Sequence, residues 1–313
     1  MTTPSITTFT LKLFVEKPVT FQSFSGFAAC GVFYSLVKSV DESLAERLHS
    51  SKRLAPWSAT PLFVEAPTPK IVRRILPANS IAKVSFSIMD EKLSDVFKEA
   101  ILKPDLSVDL VGTKASVLEV AVNVIKFSDL LSNAEPLPRK FAIEFLTPTA
   151  FRATVYDCCP KCPRYVNYLL EAKSGRRAER PCDYANPRRG AVVPLPLPAL
   201  LFRNLARMWS AFSGIRAEAR GAAEWAEDAI VISGYPSGIK TVRLYEHPTT
   251  DKWIVGFVGA VRFSIIDELY DEERARTAAA LLKMAELTNV GVRRTAGFGM
   301  IRYAPRDETA LLQ

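Results

Sequence analysis

Proton transfer near neutral pH is the natural work of histidine, whose imidazole titrates near ~6.5. This 313-residue chain has two. His49 closes a stretch of helical periodicity and is followed at once by Ser50, Ser51, Lys52 and Arg53. It reads either as a proton-transfer group with cations beside it or as a helix C-terminal residue answering the helix dipole. His247, in Leu-Tyr-Glu-His-Pro, reads as a turn residue between strands. A second chemical stretch runs from Asn289 to Tyr303. Gly291, Gly297 and Gly299 frame Arg293, Arg294 and Thr295, with Phe298 and Arg302 in the same run. Glycine lets backbone press close to a ligand, and arginine offers a planar fork of donors that matches phosphate. The run suits a polyanion, and it suits equally a helix C-cap followed by a turn. It is neither a Walker loop nor the dinucleotide fingerprint, because it follows a helix-like stretch and enters a strand-like one.

Four of the five cysteines fall in Cys158-Cys159-x-x-Cys162 and Cys182. Thiolates at such spacing can hold zinc. No second tidy C-x-x-C exists, and free or disulfide-linked thiols in a surface insertion are the other reading. The surrounding residues 151–190 hold nine Lys/Arg against four Asp/Glu, most of the net charge of +8. Such a run is a polyanion-contacting insertion or a solvated loop.

These residues must be positioned by ordinary globular structure. With 48% hydrophobic and 24% charged residues the chain can build a core, and no apolar run is long enough to span a membrane. No signal peptide is visible, so the expected compartment is the cytoplasm. The length suits one large or two ordinary domains. In order, the patterns predict a strand at 5–15, helices at 24–38 and from Asp41 to about 50, strands at 57–66 and 80–89, a helix at 90–101 and a strand pair at 108–111 and 115–124. Gly26 and Gly31 weaken the first helix. A polar, proline-bearing linker at 133–139 follows. Beyond it come a strand at 140–151 ending at Pro148, a helix at 198–212, strands at 228–235, 240–246 and 252–265, the strongest helix at 271–288, the Gly-rich loop and a strand at 299–304. This is an α+β protein.

Three stretches together resemble one family, the CRISPR-associated family-six endoribonucleases of the RAMP superfamily. They are Leu48-His49-Ser50-Ser51-Lys52 with Pro56-Trp57-Ser58; Phe145-Leu-Thr-Pro-Thr-Ala-Phe151 with Pro194–Pro198 and Leu201-Phe202; and Gly256-Phe-Val-Gly259 with the helix and loop up to Gly299. The resemblance implies two tandem ferredoxin-like (RRM-like) domains, expected at 1–136 and 137–313, the second carrying the basic insertion (152–190) and the Gly-rich loop (289–299). It implies a metal-independent endoribonuclease, without cofactor, that cuts CRISPR repeat RNA in the precursor transcript. A non-cleaving RNA-binding subunit of a CRISPR effector complex is the alternative; monomer and homodimer both stay open.

The resemblance also assigns roles. In metal-free cleavage a base takes the 2′-OH proton, the oxygen attacks phosphorus, an acid protonates the leaving 5′-oxygen and a cation steadies the phosphorane. His49 matches the family's catalytic histidine. Tyr34 matches a tyrosine that orients the 2′-OH, or serves as base if its pKa is depressed. Lys52 is the nearest candidate for the cation, with Arg53 next, although the family lysine is expected slightly later, where Ala55 stands. Arg53, Gly291, Arg293, Arg294, Thr295, Gly297, Phe298, Gly299 and Arg302 are the expected RNA contacts.

Overall fold

Phe9, Leu11, Leu13 and Val15 are fully buried and alternate with the less buried Thr10, Lys12 and Phe14, which makes Ser5–Val15 (β1) the central strand of the first half. The computed structural model describes residues 3–51, 53–155, 188–245 and 253–305, with residues 167, 170, 171 and 174. Lys52, Cys158, Cys159, Cys162, Cys182 and His247 lie outside the described residues, as does most of the basic insertion. β1 pairs antiparallel with Ser80–Ile88 (β7) and Thr113–Lys126 (β9). A seven-stranded sheet grows from this triplet. Ser107–Leu110 (β8) extends it beyond β9, and Trp57–Ala59, Phe63–Val64 and Lys70–Ile71 (β3, β4, β5) extend it beyond β7. Val19–Thr20 (β2) and Ile75–Leu76 (β6) form a separate small ladder. The single strand expected at 57–66 is two short ones broken at Pro61, which has no N–H to offer a ladder.

Helices Ser25–Lys38 (α1) and Glu91–Ile101 (α3) cover one face of this sheet. Phe33 of α1 stacks on Trp57 with centroids 3.5 Å apart and on Phe97 of α3 at 5.2 Å. Glu42–Ser50 (α2) follows α1 directly. Its N-cap is Asp41, whose carboxylate accepts from the Leu44 N–H at 2.8 Å, as the sequence predicts.

The second half repeats the design. After the short helix Phe127–Ser132 (α4), Lys140–Thr149 (β10) lies between Trp253–Ile265 (β15) and Ile301–Ala304 (β16); Ile230–Gly234 and Ile239–Tyr245 (β13, β14) complete a five-stranded sheet. Helices Pro198–Phe212 (α5), Ala217–Ala229 (α6) and Glu272–Thr288 (α7) pack on it around Trp209, Leu281 and Met284. α6 has no counterpart in the sequence reading: its Ala/Glu-rich run buries alanines, which mark a face too weakly for periodicity to show it. Phe151–Val155 (β11) and Arg188–Val193 (β12) form an antiparallel pair at the base of the basic segment. Ile6 and Met89 of the first half join the core of the second, so the halves meet through packed apolar side chains.

Candidate active site

Tyr34 and His49 reach each other because α1 and α2 form a tight hairpin. Tyr34 sits on the last-but-one turn of α1, half-buried against Trp57, with ring centroids 5.6 Å apart. His49 is in the last turn of α2 and exposed. The two rings meet edge to face, 5.4 Å between centroids at 84°. Burial, with a smaller push from Cys30, raises the Tyr34 phenol to about 12. Tyr34 therefore keeps its proton throughout the working pH range. The base role is conditional on a depressed pKa, and the shift runs the other way.

One stripe of α1 ties this pair to the Gly-rich loop. Gly26, Cys30 and Tyr34 stand four residues apart and so share a face. At Gly26 a Cβ would lie 2.0 Å from the Ala296 carbonyl oxygen, so the loop seats directly on the helix backbone. The glycine that weakens the helix on paper is its docking point. One turn on, the Cys30 thiol is hydrogen-bonded to Thr295; burial pushes it up to about 11, with Thr295 and the Arg293 charge pulling back.

The loop is held on both sides. Arg293 is itself left-handed (φ 61°) and opens a single 3-10 turn, Arg294–Ala296. Gly297 (φ 75°) has space only for hydrogen, since a Cβ would meet the Pro61 nitrogen at 2.8 Å. On the other side the Val292 N–H donates to the Ala150 carbonyl at 2.9 Å and the Gly299 N–H to that of Pro148 at 3.1 Å. The Met300 N–H donates to the Thr147 hydroxyl at 2.9 Å. The Thr-Pro-Thr-Ala segment and the loop, two of the stretches that carry the family resemblance, are thus mutual partners in space.

Arg293 and Arg294, adjacent in sequence, part company here. Arg293 is exposed and lines a cleft of about 630 Å³ with Arg53, Arg152, Arg203, Asn204 and Arg207. Among the described residues no acidic side chain lines it. Arg294 lies in the cleft floor at 4% exposure and spends its guanidinium on the carbonyls of Thr288 and Ala55, at 2.9 and 2.8 Å. As an expected RNA contact it is corrected to a buried brace. Phe298 is corrected likewise: at 1% exposure it packs against Phe24 and Phe27, at 5.4 and 5.8 Å, with no face free for a base. Gly297 and Gly299 are buried and serve close backbone packing, whereas Gly291 borders the cleft and donates its N–H to Asn204 at 2.8 Å. Arg302 stands apart from the cleft, paired with Glu144 on neighbouring strands.

Arg203, Asn204 and Arg207 went unnoticed in the sequence, yet they left a signal: two arginines at i and i+4 on an otherwise apolar helix. Arg203 also pairs with Glu227. The cleft is a polyanion site in its chemistry, positive with polar amide groups, and one rim of it continues through Arg53 to the segment behind His49. Among the described residues no helix is long and apolar enough to cross a membrane.

The model of the CRISPR-associated endoribonuclease Cas6 family matches residues 143–301, just over half of the chain. Among solved structures, Cas6 (TTHB231) of Thermus thermophilus in its product complex aligns at a TM-score of 0.68 with 19% identity, over 96% of this chain and 99% of that one. A product complex of Cas6 (TTHA0078) aligns at 0.63 with 20% identity, over 95% and 99%. An RAMP protein binding different RNA substrates aligns at 0.52 with 14% identity, over 95% and 99%. At such identities the likeness is one of fold, and that fold is α+β with two tandem ferredoxin-like units. No curated protein sequence matches the chain.

Proposed function

The chain belongs to the family of the CRISPR-associated endoribonuclease Cas6, and on that premise we propose that it cuts CRISPR repeat RNA within the precursor transcript without a catalytic metal. The observation that carries this reading is the Tyr34–His49 pair, with ring centroids 5.4 Å apart, in a chain that also has a cleft lined by arginines. The phosphate backbone lies along Arg293, Arg152, Arg207 and Arg53, which position it without reading sequence.

The imidazole of His49 takes the proton of the 2′-OH as the oxygen attacks the adjacent phosphorus. The bond to the 5′-oxygen breaks, and the imidazolium returns that proton to the leaving oxygen. Tyr34, protonated, holds the reacting group by a hydrogen bond and fixes its approach. Lys52 or Arg53 faces the extra negative charge on the phosphorane. The division of labour places the cutting residues in a first domain, 1–136, and the loop with its basic insertion in a second, 137–313.

The products expected are a 2′,3′-cyclic phosphate, or its opened form, and a 5′-OH. End-group analysis of the cut transcript in EDTA tests this. Products bearing 5′-phosphate, or cutting abolished by the chelator, would refute the metal-free route. Intact transcript held in a stable complex would favour the non-cleaving subunit.

A further inference from the structure

Residues 53–56, between α2 and β3, belong to no helix or strand. There the Arg53 N–H donates to the Ser51 hydroxyl at 3.1 Å, and the Pro56 carbonyl accepts from the Met89 N–H at 2.8 Å. The Ala55 carbonyl is held from the other half of the molecule, by Arg294 at 2.8 Å. The same guanidinium donates to the Thr288 carbonyl at 2.9 Å, in the last turn of α7. Asn289 adds a parallel tie, its amide N–H groups donating to the Ala59 carbonyl at 2.8 Å and to the carbonyl of Arg294 itself at 3.3 Å.

A buried cation needs compensation, and among the described residues no carboxylate is paired with Arg294. The C-terminus of α7 supplies it. That helix has 17 residues and no basic side chain in its last turn, so its negative dipole end is answered by Arg294, six residues beyond Thr288. Burial, and the charge of Arg207 nearby, lower the Arg294 pKa to about 10, which leaves it charged at neutral pH. The guanidinium is therefore locked in place by α7, and whatever it grips is located relative to α7 and the loop.

We propose that Arg294 is a positioning residue for cleavage: anchored on the end of α7, it fixes through Ala55 the residues around Arg53, on the stretch that follows His49 in sequence. The proposal rests on the reading that His49 performs the proton transfer. It makes the C-terminal loop serve two tasks with adjacent arginines. Arg293 faces the cleft, while Arg294 sets the geometry of a catalytic segment more than 200 residues away in sequence.

The test uses the full chain and a labelled transcript of the repeat from the same genome. Arg294→Gln should lower the single-turnover rate at saturating protein at least about tenfold, in line with a misplaced catalytic group. Its Kd and the salt dependence of its Kd should match wild type. Arg294→Lys, which keeps the cation and a donor, should recover part of the rate, and it decides the matter if a thermal melt shows the Gln variant unfolded. A raised Kd with a salt slope smaller by about one, at unchanged saturated rate, would instead make Arg294 a phosphate ligand and overturn the proposal. Should wild type cut no repeat transcript, the functional reading fails separately. Hydrogen exchange of the free protein then tests the anchoring by itself: faster exchange at residues 53–55 in Arg294→Gln, with β1 unchanged, upholds it, and equal exchange overturns it.

Discussion

The Tyr34 ring stands edge-on to His49, 84° between their planes, while its own pKa is raised to about 12. In the proposed mechanism the pair divides its roles: histidine moves the proton and tyrosine orients.

The sign of the Tyr34 shift sets a pH prediction. A phenol raised from 10 to about 12 stays neutral below that value, so its ionisation contributes nothing to the rate between pH 5 and 10. Tyr34→Phe should lower the cleavage rate on the order of 10²-fold and leave the shape of the pH–rate profile unchanged. Loss of a limb of that profile in the Phe variant would show that tyrosine titrates in the mechanism.

The cleft arginines should act as phosphate contacts. Arg152→Ala and Arg207→Ala are each expected to weaken binding of the repeat transcript and to reduce the slope of log K against log salt by about one. Arg302→Ala, whose charge is paired with Glu144 away from the cleft, should leave that slope unchanged. Filter binding across a salt series distinguishes the two.

Phe298 belongs to the small core that joins α1, the loop and β15 through Phe24, Ala296 and Ile254. Phe298→Ala should destabilise the protein by about 3–5 kcal/mol, the range for an emptied aromatic site. Denaturant melts measure it. A stable variant with weakened RNA binding would return Phe298 to a base-stacking role.

Cys30 is the free thiol that touches the loop, and burial holds it up at about 11. Its thiolate is therefore scarce below that pH, and the thiolate is the reactive form. Iodoacetamide at pH 8 should label Cys30 far more slowly in the native than in the denatured protein, as mass spectrometry of its peptide reads directly. Equal rates would show that α1 and the loop part freely.

Much of the fold was legible in the residues. Strands such as Ser5–Val15 alternate cleanly, and Asp41, Asp90 and Asp271 cap the helices they precede. The adjacency of Tyr34 and His49 entered through family resemblance, since periodicity cannot say that two helices fold back on each other. The loop was misjudged for a different reason. Composition reports that Arg293 and Arg294 are both cations, whereas a left-handed turn at Arg293 sends one side chain to the cleft and the next beneath it. Phe298 and Gly297 read as ligand contacts because a close-packed backbone and a ligand cradle ask for the same residue types. Arg203 and Arg207 were overlooked because charges on a helix are ordinarily solvated.

In the proposed mechanism His49 moves the proton. Single-turnover cleavage of the repeat transcript in EDTA by wild type and by His49→Ala measures it most directly. The variant should bind RNA as wild type does and lose at least about 10²-fold in rate, the usual worth of a general acid–base group. Undiminished cutting by His49→Ala would contradict the mechanism.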